Sequence, residues 1–119
     1  WLTIVRGECS VRVYAKADTG NALREPFSGL PVIVCQRDAL ESLAPPGVLS
    51  YPGSDSPAPG LRLVPFASLG GEGLLPAFRP DRVLAGDLPA ADCYVALCPR
   101  SLSAGEYQAL YDPALFGGS

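Results

Sequence analysis

Ser10-Val11-Arg12-Val13-Tyr14-Ala15-Lys16-Ala17-Asp18-Thr19-Gly20-Asn21 changes character in its middle. Up to Ala17 it alternates. Val11, Val13, Ala15 and Ala17 fall on one face of an extended chain, and Ser10, Arg12, Tyr14 and Lys16 fall on the other. A period of two is the mark of a half-buried β-strand. The alternation stops at Asp18, so the Asp18-Thr19-Gly20-Asn21 stretch is expected in a loop at a strand's end, with Gly20 where a tight loop needs a residue without Cβ.

Working outward, Gly7-Glu8 is expected to turn a first strand, Trp1 to Arg6, into the strand that runs from Ser10 to Ala17. Leu30 to Cys35 reads as a buried strand, and Leu61 to Ala67, Leu74 to Phe78, Arg82 to Ala85 and Cys93 to Cys98 as further ones. Asp38 to Glu41 has capping-box spacing and predicts a short helix through Leu43. The same spacing from Ser103 to Glu106 predicts a last helix, with Tyr107, Leu110 and Tyr111 on one side and Asp112-Pro113 ending it. Ala44 to Gly60, rich in Pro and Gly, is expected to be a mobile surface loop. With 13 Gly and 13 Pro in 119 residues, the segments stay short, and the expected class is a single mainly-β domain with one or two short helices.

Composition narrows the chemistry. There is no His, which removes Ser-His and Cys-His nucleophilic catalysis and every His-containing zinc site. The four Cys lack paired zinc spacings, so no metal or cofactor is expected. Buried, reduced thiols are the expected state of Cys9, Cys35, Cys93 and Cys98, with two disulfides as the alternative. A net charge of -3 without clustered Lys or Arg offers no field for nucleic acid. No apolar run approaches a membrane span, and the Met-free start reads as the beginning of an excised domain. Proton chemistry must then come from carboxylates, Lys, Tyr, Cys or water.

Asp18 is the candidate catalytic carboxylate, supported by Thr19, Gly20 and Asn21. The glycine-rich segment Leu69-Gly70-Gly71-Glu72-Gly73 is a candidate flap over substrate. The bland readings are a polar turn for the triplet and a plain β-hairpin for the glycines. Arg62, Arg79 and Arg82 read as residues of solvated strand faces.

Asp18-Thr19-Gly20 at a strand's end, followed by a glycine-rich hairpin, resembles a retropepsin. The longer string Asp18-Thr-Gly-Asn-Ala-Leu23, then Pro26, Gly29 and Pro31-Val32, resembles the sporulation sigma-E factor-processing peptidases. Arg62-Leu-Val-Pro-Phe66, the Gly-Gly-Glu-Gly segment, Phe78-Arg-Pro-Asp81, Leu102-Ser, Tyr107 and Leu110 also fit. The likeness covers nearly the whole chain, with Glu25 where the pattern has Asp.

That resemblance implies a retropepsin-like closed β-barrel or sandwich, forming the cytosolic protease domain of a bacterial membrane protein anchored through an N-terminal region. It would act on the mother-cell side of the sporulation septum on a sigma-factor precursor. Aspartic proteolysis needs two carboxylates facing one water, one ionised and one protonated. Two like charges about 4 Å apart repel by about 4 kcal/mol at an effective dielectric of 20, about three pKa units, so one stays protonated over a broad pH range. The chain has a single such triplet, since Asp55-Ser56 is followed by Pro57. The second carboxylate must come from a second copy, and a homodimer is expected. In the family analogy Thr19 braces the two loops across the axis. A non-catalytic β-rich interaction domain, or a retropepsin-like protease with another substrate, are the alternatives.

Overall fold

The computed structural model describes residues 1–18, 23–43, 62–68, 71–99, 102 and 105–116, leaving aside the side chains of 66–68, 71 and 72. The expected Ala44 to Gly60 loop lies outside the described residues.

The chain is mainly β. Its strands are β1 (Leu2–Arg6), β2 (Cys9–Val13), β3 (Ala15–Ala17), β4 (Val32–Gln36), β5 (Arg62–Ser68), β6 (Gly71–Phe78), β7 (Arg82–Ala85), β8 (Leu88–Pro89), β9 (Tyr94–Cys98) and β10 (Ala109–Tyr111). They form two sheets, ordered β2-β1-β7-β8 and β3-β10-β4-β9-β6-β5. Among the described residues neither sheet closes into a barrel; the two face each other as a sandwich.

The core explains the order. β4 and β9 lie in the middle of the larger sheet, pair in parallel from Val32↔Tyr94 to Gln36↔Cys98, and are apolar on both faces. Ile33, Cys35, Val95 and Leu97 point toward the smaller sheet, where they meet Leu2, Ile4, Val13 and Val83. Val32, Val34, Tyr94 and Ala96 point the other way and pack with Val64, Leu75 and Ala77. A strand buried on both sides needs a continuous apolar run, and Val-Ile-Val-Cys supplies one. β1, facing the core on one side only, alternates: Leu2 and Ile4 are buried, Thr3 and Val5 half-buried.

Three expectations change. The strand expected from Ser10 to Ala17 is two strands in different sheets. β2 pairs with β1, ending at Leu2↔Val13, and β3 pairs with β10 from Ala15↔Ala109. Tyr14 is the crossing point, with its carbonyl accepting from the Gln108 N–H (2.7 Å) and its own N–H directed at Gln108 Oε1 (3.4 Å). The helix expected from Asp38 is a single 3₁₀ turn, Arg37–Leu40, whose N-cap is Gln36. Asp38 is inside that turn and accepts from Gln36 Nε2 instead of capping (3.3 Å). The last helix is corrected most. Ala109–Tyr111 is a strand, inserted between β3 (parallel) and β4 (antiparallel), and the helical turn follows it as a 3₁₀ segment, Pro113–Phe116. Asp112 Oδ1 accepts from the Ala114 N–H, which opens that turn (2.9 Å).

All four Cys are thiols. The register shows why the central three stay apart. Cys35 lies opposite Leu97, four residues or about 13 Å along the strand from Cys93, whereas a disulfide needs Cα atoms within about 7 Å. Cys98 points to the other face of the sheet from Cys35. Cys9, expected to be buried, is exposed in β2.

Candidate functional site

β3 and β10 run side by side in parallel, ending at Ala17↔Tyr111. One residue further, the Asp18 N–H donates to the Tyr111 carbonyl at 2.7 Å, extending the pairing by one bond. That bond fixes where the chain leaves the sheet. Asp18 is half-buried there. Thr19, Gly20 and Asn21 lie outside the described residues.

The chain returns at Leu23, which packs beside Leu30 on the second core cluster. An isolated antiparallel bridge joins Arg24 to Pro31 and pinches the loop shut. Between them stands a turn tied to one side chain. The Glu25 N–H donates to the Leu30 carbonyl (2.9 Å), and the Gly29 N–H donates to the Glu25 carbonyl (2.8 Å). The Glu25 carboxylate accepts from the N–H groups of Phe27 (3.1 Å) and Ser28 (2.8 Å). Gly29 completes the turn at φ 72, a conformation that Gly adopts without strain.

Glu25 has no exposed surface, although it lies shallow, under its own turn and not deep in the core. Burial by itself would raise its pKa. The hydrogen bonds from Phe27 and Ser28, with the positive charge of Arg62, outweigh that and hold it below the ordinary carboxyl value. In the sequence its signal is an acid before Pro-x-Ser-Gly. At the tip of the turn Phe27 is 90% exposed.

The candidate flap segment falls on a β-hairpin. β5 and β6 form one hairpin whose last pair is Ser68↔Gly71, so residues 69–70 make the connection. Gly71, Glu72 and Gly73 are strand residues opposite Ser68, Ala67 and Phe66. Leu69 and Gly70 lie outside the described residues. β10, β4 and β9 place Asp18 level with Val32 and Tyr94, at the end where β6 finishes with Phe78. Gly71 begins β6 at its other end.

A cleft of about 270 Å³ runs past Arg79, Asp81, Asp92 and Cys93, with an exposed Arg79–Asp92 ion pair at 3.0 Å. Burial, with the Asp92 charge and against Arg79, pushes the Cys93 thiol up to about 11. Burial, with Cys93, raises the Cys35 thiol further. Neither is a nucleophile near neutral pH. Among the described residues no three His, Cys, Asp or Glu side chains converge on a metal position, and no helix is long and apolar enough to cross a membrane.

A protein-family model described as Peptidase_U4, sporulation factor SpoIIGA, matches residues 2–115. No curated protein and no solved structure matches the chain.

Proposed function

We infer, for a chain that belongs to the SpoIIGA sporulation-factor family of peptidases, the sigma-E factor-processing peptidases, that Asp18 is its catalytic carboxylate. In this reading the domain is an aspartic endopeptidase that activates a sporulation sigma-factor precursor. Two Asp18 side chains, one from each protomer of a homodimer, share a water. The ionised one takes a proton from that water as it attacks the scissile carbonyl, and the protonated one donates a hydrogen bond to the carbonyl oxygen. The pair titrates as a unit. Thr19, Gly20 and Asn21 belong to the same loop and support it. The domain would work on the mother-cell side of a membrane to which the complete protein is anchored.

The observation that carries the reading is the placement of Asp18. It leaves the sheet where β3 and β10 end together, held by a backbone bond to Tyr111. Both flanks of its loop are tied, at Asp18–Tyr111 and at Arg24–Pro31. The backbone at Asp18 itself is held to the sheet edge, and a dyad assembled from two copies requires each carboxylate to start from a set place. The reading needs no contribution from residues 69–73.

The test uses the complete protein and the sigma-factor precursor. Asp18→Ala is expected to abolish cleavage while the domain stays folded. Mixing inactive Asp18→Ala protomers in excess with wild type is expected to suppress wild-type cleavage, because each mixed dimer has one carboxylate. Full cleavage by Asp18→Ala would end the aspartic reading. Undiminished wild-type cleavage in mixtures shown to exchange protomers would end the dyad across two chains.

A further inference from the structure

The turn over residues 25–30 holds one large apolar side chain out in solvent. Phe27 stands at its tip, 90% exposed, next to the exposed Pro26. The other large apolar residues at the surface are less open. Trp1 is 59% exposed and shares its ring with Tyr14 and Arg12, while Leu74 and Leu88 are 48% and 58% exposed on strands.

The backbone beneath Phe27 is fixed. Its N–H donates to the buried Glu25 carboxylate (3.1 Å), as does that of Ser28 (2.8 Å), and Ser28 Oγ accepts from the Leu30 N–H (3.2 Å). Pro26 holds its own φ. A turn tied in this way presents an aromatic ring to a partner at small cost in entropy.

The register locates the turn. Ala17 pairs with Tyr111 and Leu110 with Val34, so Asp18 is level with Val32, two strands away across β10. Pro31, at the base of the turn, is one residue beyond that level, which puts it about 10 Å from Asp18. Two Asp18 side chains on one water require a two-fold axis within about 3 Å of each carboxyl. A standard interface of about 800 Å² per protomer covers a disc of about 16 Å radius around such an axis. The base of the turn falls inside that disc, and the two-fold sets the same surface of the copy opposite it.

We propose that the tip formed by Pro26 and Phe27 is an anchor of the homodimer, where Phe27 of each protomer packs against the other protomer. This deepens the aspartic peptidase reading above and rests on it for the two-fold axis. A second copy is the occupant because the acids that must meet repel each other, and apolar burial beside them offsets that repulsion without adding charge. Each copy also carries a net charge of -3, so the pair repels as a whole and apolar area is the attraction available to it.

Sedimentation equilibrium of the 119-residue chain, carried to millimolar concentration, reads association without cleavage. The expected result is a monomer–dimer equilibrium that Phe27→Ser weakens about tenfold or more. Phe27→Leu, which keeps an apolar side chain, is expected to weaken it less. Circular dichroism and urea unfolding check that both variants keep the fold, of which so exposed a side chain carries little. A monomer at every concentration, an association that runs past the dimer, or an equally strong dimer from Phe27→Ser overturns the proposal. In the complete protein, a raised KM for the precursor in Phe27→Ser, with dimerisation of the chain unchanged, assigns Phe27 to the substrate and overturns it too. Association is measured on the chain and cleavage on the complete protein, so a failure here and a failure of the Asp18 test are distinguishable.

Discussion

Replacing Glu25 tests whether the loop that presents Asp18 is held by its own buried carboxylate. Glu25→Ala removes the acceptor of the Phe27 and Ser28 N–H groups at 3.1 and 2.8 Å. Each bond is worth about 1 kcal/mol net, and more with a charged acceptor. The site is shallow, so water can replace part of what is lost; the lower value applies and the expected cost is about 2 kcal/mol. For a domain of this size that is about 8 °C in Tm. Glu25→Gln keeps the shape but turns an amide NH₂ toward one of the two donors, and about half the loss is expected. The pH dependence has a definite sign. The folded pKa lies below the ordinary 4.5, so the stabilisation is full above the unfolded carboxyl range and is lost as pH falls through the lower folded value. Urea titrations at neutral pH and at successively lower pH check this, with the wild type approaching Glu25→Gln in acid. A Glu25→Ala chain within about 0.5 kcal/mol of wild type at neutral pH would refute the reasoning, since that is the ordinary scatter of surface substitutions.

Two further outcomes follow from packing. With a disulfide-exchange thiol reagent at pH 8, Cys9 is expected to react quickly, whereas Cys35 and Cys93 react only as fast as the domain opens, because burial raises both thiols; rapid reaction of all four would contradict the register. Gln36→Ala strands the Leu102 N–H and is expected to cost about 1–2 kcal/mol in chemical denaturation, with Gln36→Glu, which retains the acceptor, losing less; equal losses in both would assign the effect to something other than that hydrogen bond.

Legibility in the sequence followed the range of the forces. The two-faced apolar run at β4 and the alternation before Asp18 are local signals, and both mark strands. The crossing at Tyr14 carries neither Gly nor Pro; it is set by Gln108, 94 residues away. The final strand was missed because Tyr107, Leu110 and Tyr111 satisfy a helical spacing equally well, and three residues are too few to show a period. Its identity comes from β3 and β4, whose pairings with Ala109, Leu110 and Tyr111 are entirely non-local. The capping signals failed for a similar reason. Asp38 lies inside its turn, whose N-cap is Gln36 and makes no side-chain cap bond, and Asp112, which in sequence looks like the end of a helix, opens a helical turn. Glu25 was overlooked because a carboxylate serving its own turn looks, in one dimension, like any loop acid.

The insertion of β10 between β3 and β4 also orders events in time. During synthesis the segments bearing Asp18 and Val32 emerge long before Tyr111. Until Ala109–Tyr111 arrives, the two strands flanking it have an unfilled slot between them, and the carbonyl that holds the Asp18 amide does not yet exist. A ring closed over more than ninety residues forms late and slowly. Nascent chains thus carry Asp18 without the carbonyl that holds its amide until the Ala109–Tyr111 segment has been made.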